Sequence, residues 1–193
     1  TFFKGVFSLP PAHYLSYEKG KLTIKRYWKP EFSADAEVGF EESVEMIGKV
    51  MEESVKAHKI SDVEVGSYLS SGIDSSYIAC LGDVDKTFTV GFAHEKYNEI
   101  TYATEFSKVS GVKNYNKLIS ADEFFDEVGQ IMYAMDEPLA DPACIPLYFL
   151  GREAAKQVKV VLSGEGADEF FGGYNIYLEP LDTAWYDKIP YPV

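Results

Sequence analysis

Between Val63 and Ser163 the chain alternates four times between a short strand-like run and a stretch of helix length. The runs are "VEVGSYL" (Val63–Leu69), "KTFTVGF" (Lys86–Phe92), "KNYNKLI" (Lys113–Ile119) and "VKVVLS" (Val158–Ser163). The intervening segments are "SSYIACLG", "NEITYATEFSKVSG" closing on a glycine C-cap, and the pair "SADEFFDEVGQIMYAM" and "CIPLYFLGREAAKQV". Ser120 stands three residues before Glu123, the spacing of a capping box. The last of the four runs, "VKVVLS", is continuously apolar, which belongs to a strand buried on both faces, and strands alternating with helices cannot close as hairpins. The pattern therefore predicts an α/β fold: a doubly wound parallel sheet flanked by helices.

What precedes this unit reads differently. Residues Phe2–Trp28 predict short strands, with a hairpin turning at Lys19-Gly20. "KPEFSADAE" is a linker, with Ser33 or Asp35 as candidate N-caps for a helix over Ala36–Lys59. In that helix Phe40, Val44, Ile47, Met51 and Val55 recur at helical spacing, a stripe expected to pack into the core. A boundary is thus expected near residue 30, with the parallel-sheet unit over 31–193. At 193 residues the chain suits one domain plus an attachment. It opens without Met and stops in a Pro-rich stretch, as a piece of a longer protein would.

The formal net charge is −13, which opposes a nucleic-acid backbone over most of the surface. No apolar stretch is long enough to span a membrane and no signal peptide is present, so a cytoplasmic setting is expected. Cys80 and Cys144 are the only cysteines; both are read as buried small hydrophobes in a reducing compartment.

The chemistry gathers in two loops that follow strands: "LSSGIDSS" after the first run and "LSGEGADEFFGGY" after the last. Ligands of open parallel sheets bind beyond the carboxyl ends of strands, where strand order reverses. If the first and fourth strands are neighbours, these loops face each other there. Ser70, Ser71, Gly72 and Ser75 can wrap an anion with hydroxyls and amides at a helix start. Asp74 and Asp168 would repel a phosphate unless a cation bridges them, which points to Mg²⁺. Alone, a Ser/Gly turn with an Asp cap is common between strand and helix. Two such turns, each carrying a carboxylate, are not.

"LSSGIDSS" resembles the S-G-G-x-D-S loop of the ATP-pyrophosphatase (PP-loop) superfamily, and "LSGEGADEFFGGY" is similar to the stretch diagnostic of glutamine-hydrolysing asparagine synthetases. "DEPLADPACIPLYFL" and "TFTVGF…YNE" fit the same family, and "LPPAHYLSYEKGKLTIKRYW" resembles the last strands of its glutaminase domain. The resemblance implies an amide-forming ligase: ATP adenylates a carboxylate, pyrophosphate leaves, and ammonia displaces AMP. The implied substrates are ATP, aspartate and glutamine or ammonia; the implied cofactor is Mg²⁺, with no nucleic acid or membrane partner and with room for a homodimer.

Carried onto this chain, the resemblance implies that Ser70, Ser71, Gly72, Asp74 and Ser75 hold pyrophosphate. Leu69, Val90 and Gly91 would lie along the adenosine, and Ser163 and Gly164 would touch the nucleotide. Asp74 and Asp168 would hold the metal, and Glu165 would be the acid/base or substrate-orienting carboxylate. Another acceptor, in cell-surface sugar or secondary metabolism, and a non-catalytic nucleotide-binding homologue are the competing expectations.

Three departures qualify the match. Ser71 replaces the family's usual glycine, which is tolerable only if that residue keeps a negative φ. Residue 1 is Thr where the glutaminase uses an amino-terminal Cys. The family's domain also continues past "GGY" to supply a phosphate-facing lysine, so this piece alone is expected to be inactive. His13, His58 and His94 show no metal spacing, and Asp136, Glu137 and Asp141 border an acceptor pocket or a solvated loop.

Overall fold

A computed structural model describes residues 1–32, 38–93, 98–183 and 185. Ser33 and Asp35, the expected caps, and His94 lie outside the described residues. The hairpin forms as expected: β1 (His13–Glu18) pairs antiparallel with β2 (Lys21–Arg26), Glu18 opposite Lys21. Lys19 (φ 48°) and Gly20 (φ 80°) both take the left-handed region, the two-residue turn whose twist matches the strands it joins. None of residues 1–32 is buried.

The helix α1 (Phe40–His58) follows. Its stripe does not pack as expected. Val55 is 5% exposed, but Phe40, Val44 and Ile47 are 78%, 54% and 43% exposed. The helix meets the rest of the fold at its carboxyl end, where Val55 joins α2, so the amino-terminal turns have nothing to press against among the described residues.

The sheet contains β3 (Val65–Tyr68), β4 (Lys86–Phe92), β5 (Lys113–Ile119) and β6 (Val160–Leu162) in the order β5-β4-β3-β6, all parallel. This is the predicted doubly wound fold, although the outermost predicted residues of β3 and β6 fall outside the ladder. The helices are α2 (Ile73–Leu81), α3 (Ile100–Ser110), α4 (Ala121–Asp126), α5 (Val128–Ala134), α6 (Cys144–Ala154), the short α7 (Ala167–Phe171) and α8 (Glu179–Asp182). No described helix is long and apolar enough to cross a membrane.

One face of the sheet is closed by α5 and α6, where Val90, Ile119, Ile131, Ile145 and Phe149 form a core. Phe88 packs with Ala154 and Val158 beside it. On the other face Val55, Val65, Ala79, Val84 and Leu162 join α1, α2 and β6. Three polar side chains are buried in the strands, and each is bonded. Ser67 Oγ donates to the Leu162 carbonyl at 3.3 Å, Thr89 Oγ1 donates to the Leu69 carbonyl at 2.8 Å, and Thr87 Oγ1 accepts from Asn114 Nδ2 at 3.1 Å. Burial without a partner would cost each about 1–3 kcal/mol.

The predicted capping box is present: Ser120 Oγ accepts from the Glu123 N–H at 3.2 Å, and Glu123 Oε2 accepts from the Ser120 N–H at 3.1 Å. The Lys117 ammonium and these caps hold the Glu123 carboxyl down at about 2. Gly111 ends α3 at φ 74°, the expected cap. The cysteines divide: Cys144 is buried, but Cys80 is exposed because it lies on the outer side of α2. Both thiols are free.

Candidate functional site

The adjacency on which the two-loop reading depended is present. β3 and β6 are hydrogen-bonded neighbours, with Val65 opposite Val160 and Ser67 opposite Leu162. The order β5-β4-β3-β6 reverses direction at this pair, so the loops leaving β3 and β6 open at the switch point of the sheet.

The loop after β3 is knit by its own hydroxyls. Ser75 Oγ accepts from the Ser70 N–H at 3.0 Å, lies 2.8 Å from Ser70 Oγ, and is 3.2 Å from the Gly72 carbonyl. The Gly72 N–H donates to Ser70 Oγ at 3.1 Å, and Ser76 Oγ donates to the Gly72 carbonyl at 2.8 Å. Gly72 is the N-cap of α2 and makes no side-chain cap bond; the serine oxygens instead accept from the Ser70 and Gly72 N–H groups just before the helix. Positive φ among described non-glycine residues occurs at Ala12, Lys19, Asp83 and Asp136, and so not at Ser71. A serine in place of glycine is therefore unstrained.

The loop after β6 is built from glycines. A Cβ added at Gly164 would lie 3.0 Å from the Ser75 nitrogen and 3.1 Å from the Asp74 carbonyl carbon. Even a methyl would be crowded where the two loops cross backbone to backbone. Beyond it the Glu165 N–H donates to Ser163 Oγ at 3.3 Å, Gly166 turns left-handed (φ 91°) to start α7, and the Gly173 N–H returns to the Asp168 carbonyl at 3.0 Å. A Cβ on Gly173 would fall 1.9 Å from Asp168 Oδ1, so the chain folds back directly over that carboxylate.

Between the loops is a cleft of about 260 Å³. Of the predicted residues, Leu69, Ser70, Asp74, Ser75, Val90, Ser163, Gly164, Glu165 and Asp168 line it together. Ser71 and Gly72 sit at the exposed tip, and Gly91 faces Asn98 and Ile100 rather than the cleft. The sequence reading missed Tyr68, Glu99, Leu147, Leu150, Gly166 and Tyr174, which complete the wall. Leu147 and Leu150 come from α6 and give the cleft an apolar end with Leu69 and Val90. Their only sequence signal was the apolar face of a helix, which also serves the core.

Among the described residues the lining contains the carboxylates of Asp74, Glu99, Glu165 and Asp168 and no lysine or arginine. The neighbouring Glu169 carboxylate pushes the Tyr174 phenol up, with burial and the lining carboxylates Asp168 and Glu165 adding to it. Burial raises Tyr68 as well. The lining carboxylates repel a polyphosphate unless a cation offsets them, and hard carboxylate oxygens suit Mg²⁺. No group of three or more His, Cys, Asp or Glu poised for a metal occurs among the described residues, so any ion here would complete its shell with oxygens from a ligand or water. A larger groove of about 690 Å³, walled by Ile47 and Met51 of α1, Tyr77 of α2 and Phe170 of α7, shares Asp74, Ser163, Gly164 and Glu165 with the cleft.

The fold and the paired loops together define an α/β protein with an acidic, hydroxyl-lined cleft at the switch point of a parallel sheet. Residues 46–191 match the asparagine synthase family, and the chain belongs to that family. It is 43% identical over 185 residues to "Asparagine synthetase (glutamine-hydrolyzing) 1" of Bacillus subtilis, covering 94% of this chain and 29% of that protein. It is 30% identical over 192 residues to "Asparagine synthetase (glutamine-hydrolyzing) 3" of the same organism, covering 89% and 31%. It is also 32% identical over 219 residues to "Amidase chyE" of Penicillium rubens, covering 96% and 32%. The chain thus spans less than a third of the length of each relative.

Proposed function

We propose that this chain carries the nucleotide site of an ATP-dependent, amide-forming carbon–nitrogen ligase that makes asparagine from aspartate with ammonia drawn from glutamine. The observation that carries the reading is the crossing of the two loops at Gly164, which puts the serine cradle and four carboxylates around one cleft. In the proposed reaction an oxygen of the acceptor carboxylate attacks the α-phosphorus of ATP, and the bond to the β-phosphate oxygen breaks. Pyrophosphate leaves toward the serine loop of Ser70, Ser71, Gly72 and Ser75 at the start of α2. Ammonia then attacks the acyl carbon, the bond to AMP breaks, and a proton leaves the nitrogen.

Glu165 is the proposed acceptor of that proton. It stands at the border of the cleft and the larger groove, so it faces both the nucleotide and the space for an acceptor. Leu69 and Val90, with Gly91 behind them, form the adenosine wall, while Ser163 and Gly164 approach the nucleotide from β6. Asp74 and Asp168 would hold Mg²⁺, which would offset phosphate charge during departure. Residues 1–30 are proposed as the end of a glutaminase domain: they form a separate two-stranded sheet, bury no residue, and precede the family match. The two unpaired thiols suit a cytoplasmic protein.

Similarity to an amidase favours a second reading, in which the ligase chemistry is retained and the acceptor is a different carboxylate. Substrate-dependent ATP–pyrophosphate exchange by the full-length protein separates the two. Exchange supported by aspartate establishes the first reading, and exchange supported only by other carboxylates establishes the second. Asp168→Asn is expected to lower pyrophosphate release at least about 100-fold without altering the far-ultraviolet circular dichroism. Full activity in that variant would refute the metal role.

A further inference from the structure

Glu99 has no place in the roles above, yet it lines the cleft. It stands at the N-cap of α3 and makes no side-chain cap bond there. Asn98 does that work: its Oδ1 accepts from the Ile100 N–H at 3.1 Å. The Glu99 carboxylate instead turns across to the serine loop. Its Oε1 accepts from Ser71 Oγ at 3.1 Å and from the Ser71 N–H at 3.4 Å. One turn further along α3, the Tyr102 hydroxyl lies 2.8 Å from Ser76 Oγ. Glu99 at the N-cap of α3 and Tyr102 in its first turn therefore grip the two ends of the 71–76 turn. The approach is possible because Gly91, at the end of β4, lacks a side chain: a Cβ there would lie 2.9 Å from Asn98 Oδ1 and 3.1 Å from Ile100 Cγ1.

We propose that Glu99 is a positioning residue for nucleotide binding, holding the serine cradle in its binding shape through both donors of Ser71. A charged acceptor makes stronger hydrogen bonds than a neutral one. Ser71 sits at the exposed tip of the loop, where nothing else in its own turn takes its hydroxyl. The serine in place of the family's usual glycine supplies the second of the two bonds. The cradle is thus held from outside by α3 as well as from inside by Ser70 and Ser75. The inference rests on the reading of the cleft as a nucleotide site, and two readouts keep it separate from that reading.

The test uses the full-length protein with Glu99→Ala, Glu99→Gln and Ser71→Gly. Hydrogen exchange of the Ser71–Ser76 amides is measured without nucleotide, and pyrophosphate release is measured against Mg-ATP concentration. Glu99→Ala is expected to speed exchange in that turn and to raise the KM for Mg-ATP about tenfold, with kcat moving less than about twofold. Glu99→Gln, whose amide oxygen still accepts, restores most of both, and Ser71→Gly falls between because only the N–H remains. Wild-type exchange and KM in Glu99→Ala would overturn the proposal. So would an equal loss in Glu99→Gln, or a fall in KM in Glu99→Ala, which would make the carboxylate a repulsive charge. Absence of pyrophosphate release from the unmutated protein would sink the ligase reading alone, and the exchange comparison would still decide whether Glu99 holds the loop.

Discussion

The two loops of the cleft do one task by opposite means. The loop after β3 keeps its serines out of the left-handed region and is shaped by side-chain oxygens, with Ser75 Oγ as the hub. The loop after β6 has few side-chain bonds and is shaped by what its glycines lack: Gly164 and Gly173 leave room for backbone and carboxylate to pass within contact distance. A hydroxyl network distributes its energy over several weak bonds, so losing one is tolerable. A steric gap has no such reserve. The glycine loop should therefore be the more brittle of the two.

The sharpest way to break this contrast is Gly164→Ala. The added methyl meets the Ser75 nitrogen and Asp74 backbone, which cannot swing aside, so a loss of about 1–3 kcal/mol is expected in urea denaturation of the full-length protein. Pyrophosphate release should fall with it, because the loops part. Gly173→Ala tests the same loop at a point where the nearest obstacle is the end of a side chain, with the Asp168 Cα behind it at 3.2 Å. Asp168 can rotate away, so stability should change by less than about 1 kcal/mol while pyrophosphate release drops at least about tenfold. Equal effects on stability from the two glycines would erase the distinction between backbone and side-chain obstruction.

Ser75→Ala probes the other loop. Removing the hub leaves the Ser70 N–H and hydroxyl to be satisfied by water at a half-buried site, a cost of about 1 kcal/mol in the same assay. A loss larger than that of Gly164→Ala would reverse the ranking of the loops.

The smallest effect lies outside the cleft and provides a control. Glu123, held down at about 2 by Lys117 and the Ser120 cap, contributes stability that is complete above its ordinary value near 4.5. That contribution is lost as pH falls through about 2. Glu123→Gln, which keeps a cap acceptor but loses the charge, should flatten the fall in unfolding midpoint between pH 5 and 2 with no change in Mg-ATP affinity at pH 7.

How far the site was legible in sequence follows from the same physics. Ser70, Asp74, Ser75, Ser163, Glu165 and Asp168 were found because small polar residues after apolar strands mark loops at a sheet edge. Glu99, Leu147 and Leu150 were not, because an acid at a helix start and leucines on a helix face are ordinary and gain meaning only from what the fold brings opposite them. The stripe on α1 shows the converse. Its period was correct, but Phe40, Val44 and Ile47 are exposed, since periodicity specifies a face and not what covers it. Cys80 is likewise exposed despite its apolar neighbours.

By itself the sequence determined local matters: the runs that become strands, the Lys19-Gly20 turn, the Ser120–Glu123 box, the Gly111 cap and the family. Each depends on residues close together in the chain, where propensity, capping and φ preference act. Tertiary structure alone decided that β6 lies beside β3, that Gly164 rests on the Asp74–Ser75 backbone and that Glu99 reaches Ser71. Those contacts join residues 28 to 95 positions apart. Their existence depends on the packing of the whole sheet, which no local preference encodes.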